Sequence, residues 1–245
     1  MVLIGGFSMV KESWGLQVQG LARHFRVITF DNRGVGETRI PDGPFQVSDM
    51  AADTVGLMDA LDIEAAHVFG VSMGGLISQV LALDHADRVR KVVLGCTTHG
   101  GKHAVHPTQE VMAALGRATD PNVSVEEAVR NWVPTMFPEC FMREEKGRLA
   151  DFVRFSVQNW PTAEGAAGQI GALSVFNVKR RLHEIRCPVL AITGSEDLMM
   201  PPENARLLAD GIRGAEHYVV DGAGHGFFFE KTEEVNRVLI DFFRK

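Results

Sequence analysis

Cysteine and tyrosine are scarce in this 245-residue chain, with three of the first and one of the second. Cys96, Cys140 and Cys187 are odd in number and widely spaced, which excludes a disulfide framework or a zinc knuckle and fits thiols in a reducing compartment. There is no excess of basic residues. Lys+Arg of 25 against Asp+Glu of 31 gives a net charge of -6, with no block of like charge, so a nucleic-acid partner is not expected. No apolar run approaches the roughly 18 residues of a membrane span. The start, MVLIGGFSMVK, has neither a basic n-region nor a small-residue cleavage site, so it does not read as a signal peptide. With 45% apolar and 23% charged residues, the composition excludes disorder, collagen and coiled coil. The expectation is a cytoplasmic protein with no membrane partner, built on one large core with room for an insertion.

Short apolar runs alternate with helical stretches. Val2-Leu3-Ile4, Phe25 to Phe30, His67 to Phe69, Val92 to Leu94, Pro188 to Thr193 and Tyr218 to Val220 each end at or near glycine. They are apolar without strict alternation, as strands covered on both faces are. Between them, Trp14, Val18, Leu21 and Phe25 recur at helical spacing, as do Met50, Leu57, Met58 and Leu61 after a candidate N-cap at Ser48. Val235, Val238, Leu239 and Phe242 close the chain in the same pattern. Alternating strand and helix predicts an α/β fold with a parallel sheet.

From 104 to 185 the alternation stops, and helical segments are separated by Pro107, Pro121, Pro134, Pro138 and Pro161. Val125 to Met136 and Glu144 to Trp160 read as amphipathic helices. Residues 1–103 and 186–245 are thus expected to form the core, and 104–185 a helical lid over the C-terminal edge of the sheet.

Gly70-Val71-Ser72-Met73-Gly74 follows one apolar run and opens a helical stretch. A strand entering a helix through G-x-S-x-G holds the serine in a strained turn with its hydroxyl exposed. A hydroxyl is a weak nucleophile and needs a base, which needs an orienting acid. His225 lies in a glycine-rich loop after the last strand, at the same sheet edge as Ser72, and should titrate at about 6 to 7. Asp197 follows the fifth strand, with Glu196 as the alternative acid. The other histidines within strands or at helix ends read as structural. His99, His103 and His106 match no tight ligand motif, so no metal is expected. An oxyanion hole needs two N–H donors, for which Met73 and Phe7 are the candidates.

These landmarks together resemble the α/β-hydrolase superfamily over essentially the whole chain. They are Gly5-Gly6-Phe7 before Trp14, Asp31 to Gly36, Gly70 to Gly75, Gly194 to Asp197 and Gly224-His225. Their style is similar to serine esterases, lactonases and cofactor-free perhydrolases, including proteins like 3-oxoadipate enol-lactonase. Ser72 argues against the dehalogenase and epoxide hydrolase branches, which place an aspartate there. Two features depart from the family: Gly5 stands where a histidine is usual, and the antiparallel hairpin ahead of Val2 to Ile4 is absent. The strand at Phe25 to Phe30 would then be a sheet edge.

The resemblance implies no cofactor, a small-molecule acyl substrate as partner, and leaves room for a homo-oligomer. The expected activity is hydrolysis of a small carboxylic ester or lactone through an acyl-enzyme. The same residues could serve a perhydrolase or haloperoxidase-like enzyme, a thioesterase or a C–C bond hydrolase. The reading from another class is a non-catalytic, ligand- or partner-binding protein. Trp132, Phe137, Phe155, Trp160, Leu198 and Met199 are the candidate pocket walls.

Overall fold

The computed structural model describes residues 1–40 and 42–245. Six strands form one parallel sheet: β1 (Val2–Ile4), β2 (Ile28–Thr29), β3 (Ala66–Val71), β4 (Val89–Gly95), β5 (Val189–Gly194) and β6 (Glu216–Val220), in the order β2-β1-β3-β4-β5-β6. Every run read as a strand contributes one. The run at 25–30 pairs over only two residues and lies at the sheet edge, as expected.

Period-two alternation sends successive side chains to opposite faces. Val2, Ile4, Val68, Val92, Leu94, Val189 and Ala191 pack into one core cluster with α2 (Val47–Ala60), α3 (Met73–Asp84) and α9 (Glu203–Gly211). Leu3, Phe69, Val71, Val93, Leu190 and Ile192 pack into the other with α1 (Gly15–Leu21), α10 (Phe227–Glu230) and α11 (Thr232–Arg244). Because both faces are buried, β1, β3 and β5 are buried along almost their whole length, which explains their nearly unbroken apolar sequences.

The N-cap of α2 is Gln46, not Ser48: the Gln46 N–H donates to Asp49 Oδ2 at 2.7 Å, closing the first turn two residues earlier. Between β4 and β5 run α4 (Gln109–Ala118), α5 (Val125–Met136), α6 (Glu139–Glu144), α7 (Lys146–Gln158) and α8 (Ala163–Ser174). The stretch read as one helix from Glu144 to Trp160 is broken at Glu145, where α6 ends and α7 begins. Val129, Trp132, Val133, Met136, Phe137 and Phe141 of this segment form a small apolar cluster with Met199, against which Phe229 packs. Among the described residues no helix is long and apolar enough to cross a membrane.

The strand order reverses at β1, which lies between β2 and β3. At such a switch point neighbouring connections leave on opposite faces and open a crevice at the carboxyl ends of the strands. Gly5-Gly6 and Ser72 follow β1 and β3 directly, so the crevice forms between them.

Candidate active site

Ser72 sits between β3 and α3 with φ 53° and ψ -118°, a left-handed backbone that a non-glycine residue adopts only under constraint. Several contacts impose it. A Cβ on Gly70 would overlap the Gly74 carbonyl and the Ser78 hydroxyl, and one on Gly74 would overlap the carbonyl of Ile4. Both glycines are therefore required by close backbone approach, and the turn is locked against β1. The Ser72 N–H donates to the Gly95 carbonyl at 2.8 Å, and the Ser72 carbonyl accepts from Thr97 Oγ1 at 2.8 Å. Ser72 is also the N-cap of α3, where the free N–H groups and the helix dipole favour negative charge.

The loops after β5 and β6 are tied to each other. Ser195 N–H donates to the Val220 carbonyl at 3.0 Å, Glu196 N–H to Ala223 at 2.9 Å, and Gly222 N–H to Ser195 Oγ at 2.8 Å. This bracing turns Asp197 inward and leaves Glu196, the alternative acid, exposed. Asp197 Oδ1 accepts from the N–H groups of Met199 and Met200 at 2.9 and 2.8 Å. Its Oδ2 stands 2.8 Å from His225 Nδ1, and both side chains are buried. With Nδ1–H directed at the carboxylate, the lone pair of the neutral ring is on Nε2.

Burial works against a charged His225, but Asp197 and Cys96 together outweigh it and hold the imidazole well above its usual pKa of 6.5. That places the imidazole above the range of about 6 to 7 expected from its residue type. Cys96 completes the cluster: one ligand atom from each of Cys96, Asp197 and His225 lies within 4.8 Å of the others. Burial pushes the Cys96 thiol up. His99, His103 and His106 do not gather into a ligand cluster among the described residues. His99 is buried with Nδ1 2.8 Å from the Gly100 carbonyl, while His103 and His106 are exposed.

The Gly5–Ser8 loop lies against the Ser72 turn; a Cβ on Gly6 would stand 3.1 Å from Ser72 Cβ. Asn32 Nδ2 donates to the Gly5 carbonyl at 2.9 Å and fixes the loop where it leaves β1. Among the described residues, the N–H groups of Phe7 and Met73 have no protein acceptor.

Ser72, His225, Gly6 and Phe7 open into one cavity of about 770 Å³. Of the six residues proposed as pocket walls, Trp132 and Met199 line it. Phe155 and Trp160 instead line a second cavity of about 290 Å³ between α1 and α7, with Trp132 on the wall between the two. Phe137 lines neither, because it is packed inside the cluster of the β4–β5 segment against Phe141, Phe152 and Phe229. Leu198 is 50% exposed: the Asp197 side chain accepts from the two following N–H groups, and this turn directs Leu198 outward.

The sequence reading missed Met112 and Leu115 on α4, Ile170 and Leu173 on α8, Phe176 and Phe228, all on the cavity wall. The spacing 112/115 and 170/173 is a helical signal that could have found four of them. It also missed Glu230, whose Oε1 accepts from the Gly224 N–H at 2.9 Å beside His225. Burial raises this carboxyl from 4.5 to about 7.

The alpha/beta hydrolase fold family matches residues 1–232. A curated relative named carbamate hydrolase RutD, from Caulobacter sp. (strain K31), is 30% identical over 99% of this chain and 89% of its own. The crystal structure of the enol-lactonase from Burkholderia xenovorans LB400 superposes with a TM-score of 0.88 at 31% identity, covering 100% of this chain and 90% of that one. Est816, described as an N-acyl homoserine lactone degrading enzyme, gives 0.83 at 29% identity over 98% and 92%. Together with the parallel sheet and its strand-to-helix serine turn, these matches establish that the chain belongs to the alpha/beta-hydrolase family and is a hydrolytic enzyme.

Proposed function

We propose that this hydrolase cleaves a small carboxylic ester or lactone through an acyl-enzyme formed on Ser72. The observation that carries the reading is the constrained Ser72 at the start of α3, sharing one cavity with a His225 that is paired to Asp197. His225 Nε2 takes the Ser72 hydroxyl proton as the oxygen attacks the acyl carbon. The Phe7 and Met73 N–H groups, free of protein acceptors, hold the resulting oxyanion. His225 then protonates the leaving oxygen, and a water attacks the acyl-enzyme by the same route in reverse. Asp197 keeps the ring in the tautomer this needs and stabilises the imidazolium. The helices of 104–185 act as a lid whose apolar side chains receive the acyl group.

The enol-lactonase and Est816 similarities support a lactone or ester, and the RutD similarity adds a carbamate, which presents the same acyl carbon with a nitrogen substituent. The test is Ser72→Ala assayed on a panel of acyl esters, lactones and an alkyl carbamate. Activity should fall by about 10⁴ to 10⁶ in kcat with the fold intact. Near wild-type hydrolysis by the Ser72→Ala protein would overturn the reading.

A further inference from the structure

We propose that Gln169, on α8, is a positioning residue that holds the loop carrying the Phe7 N–H in place. The inference rests on the serine-hydrolase reading, because it concerns where that donor stands. Gln169 is fully buried, with 0% of its surface exposed. A glutamine is rarely buried so deeply unless its amide is satisfied. Its Oε1 accepts from the Ser8 N–H at 3.2 Å and its Nε2 donates to the Arg33 carbonyl at 3.0 Å. One amide therefore ties a helix of the β4–β5 segment to two loops at the carboxyl edge of the sheet.

Ser8 has φ 62°, a left-handed backbone that a serine holds only when its surroundings fix it. The hydrogen bond from its N–H to Gln169 is a contact that fixes it. Phe7 is thus bracketed: Asn32 pins the Gly5 carbonyl on one side and Gln169 pins the Ser8 N–H on the other. Since Gly6 packs on Ser72, any shift of this loop changes the distance from the Phe7 N–H to the reacting carbon.

The position of Gln169 is itself fixed by small residues. Gly165, one turn earlier, meets the Gly34 backbone so closely that a Cβ on it would overlap the Gly34 carbonyl. Gly168 lies under the ring of Phe45. The helix is therefore seated backbone-to-backbone, and the amide reaches Ser8 without slack. In this arrangement α8 does more than wall the cavity: it completes the oxyanion loop.

The experiment measures the rate of Ser72 labelling by a fluorophosphonate, together with kcat and KM on an acyl ester and the unfolding midpoint. The proteins are wild type, Gln169→Met, Gln169→Glu and Gln169→Asn, with Ser72→Ala as the blank. Gln169→Met keeps the length and removes the acceptor. Labelling and kcat should fall roughly 10- to 100-fold, less than the roughly 10²- to 10³-fold of a donor removed outright because the donor is displaced and not lost, while KM changes less than about twofold. Gln169→Glu keeps an acceptor for the Ser8 N–H at the same reach but loses the donor to the Arg33 carbonyl when ionised, so its labelling rate should lie between those of wild type and Gln169→Met. Gln169→Asn keeps the amide but is too short, so it should behave like Gln169→Met. A folded Gln169→Met protein labelled at the wild-type rate would overturn the inference and leave the serine-hydrolase reading standing. If Gln169→Met does not fold, Gln169→Glu labelling faster than Gln169→Asn supports the inference, and the reverse order overturns it. Absence of labelling in the wild type would remove both proposals together.

Discussion

The ring of Phe137 occupies the space where Gly226 would otherwise carry a side chain. Phe137 ends α5 and is 2% exposed, and Gly226 follows His225. The Gly226 N–H also donates to the Met136 carbonyl at 3.0 Å, so the loop bearing the candidate base rests directly on the segment between β4 and β5. Any movement of that segment is transmitted to His225.

From this contact we expect Gly226→Ala to push the His225 loop off Phe137 and lower kcat by at least tenfold, since displacements of about 1 Å can cost 10²-fold. Phe137→Ala leaves a hole under the same loop. A buried phenylalanine lost this way costs about 3–5 kcal/mol, or roughly 6–20 °C in the unfolding midpoint of a domain this size. Calorimetry and kcat on one ester check both. Unchanged values in either variant would mean that the ring does not support the loop.

The activity–pH profile follows from the Asp197–His225 pair. The proposed mechanism uses neutral His225 as the base, and its pKa is raised well above 6.5, so kcat/KM should climb through a midpoint above 6.5 and then level off. Asp197→Asn removes the charge that opposes burial. Its midpoint should therefore move down, with kcat reduced by about 10⁴. A wild-type midpoint at or below 6.5 would show that Asp197 and Cys96 do not outweigh burial.

Glu230 should leave a mark on stability rather than on rate. Its carboxyl is raised from 4.5 in the unfolded chain to about 7 in the fold, so the folded protein binds the extra proton between those values. The contribution is complete below pH 4.5 and is lost as pH rises through about 7. Glu230→Gln keeps an acceptor for the Gly224 N–H and cannot ionise. Denaturant unfolding from pH 4.5 to 7.5 should show the wild type losing stability relative to Glu230→Gln. Parallel curves for the two proteins would refute the assignment.

The sheet was legible because buried parallel strands carry unbroken apolar runs, and the loops at its carboxyl edge because glycine marks the close approaches around Ser72, Asp197 and His225. Pocket walls were harder to read. An aromatic on an apolar helix face looks the same whether it faces the cavity, like Trp132, or the interior of its own cluster, like Phe137. Leu198 and Met199 are adjacent in sequence yet point oppositely, because one hydrogen-bonded turn at Asp197 sets their directions. Gln169 gave no local sign, since both of its partners are more than 130 residues away, at separations of 161 and 136.

The two cavities make substrate preference separable from packing. Met199 lines the cavity that holds Ser72 and His225, whereas Phe155 lines only the second one. Met199→Ala enlarges this cavity and, if it receives the acyl group as proposed, should favour longer acyl chains, since one methylene in an apolar pocket is worth about 1–3 kcal/mol of discrimination. The ratio of kcat/KM for an eight-carbon over a four-carbon nitrophenyl ester should rise roughly 10-fold or more. Phe155→Ala should lower the unfolding midpoint and leave that ratio unchanged. Trp132 borders both cavities, so Trp132→Ala should alter both quantities. If Phe155→Ala shifted the ratio and Met199→Ala did not, the acyl group would extend past Trp132 into the space between α1 and α7, and the larger cavity would not be the chamber that selects it.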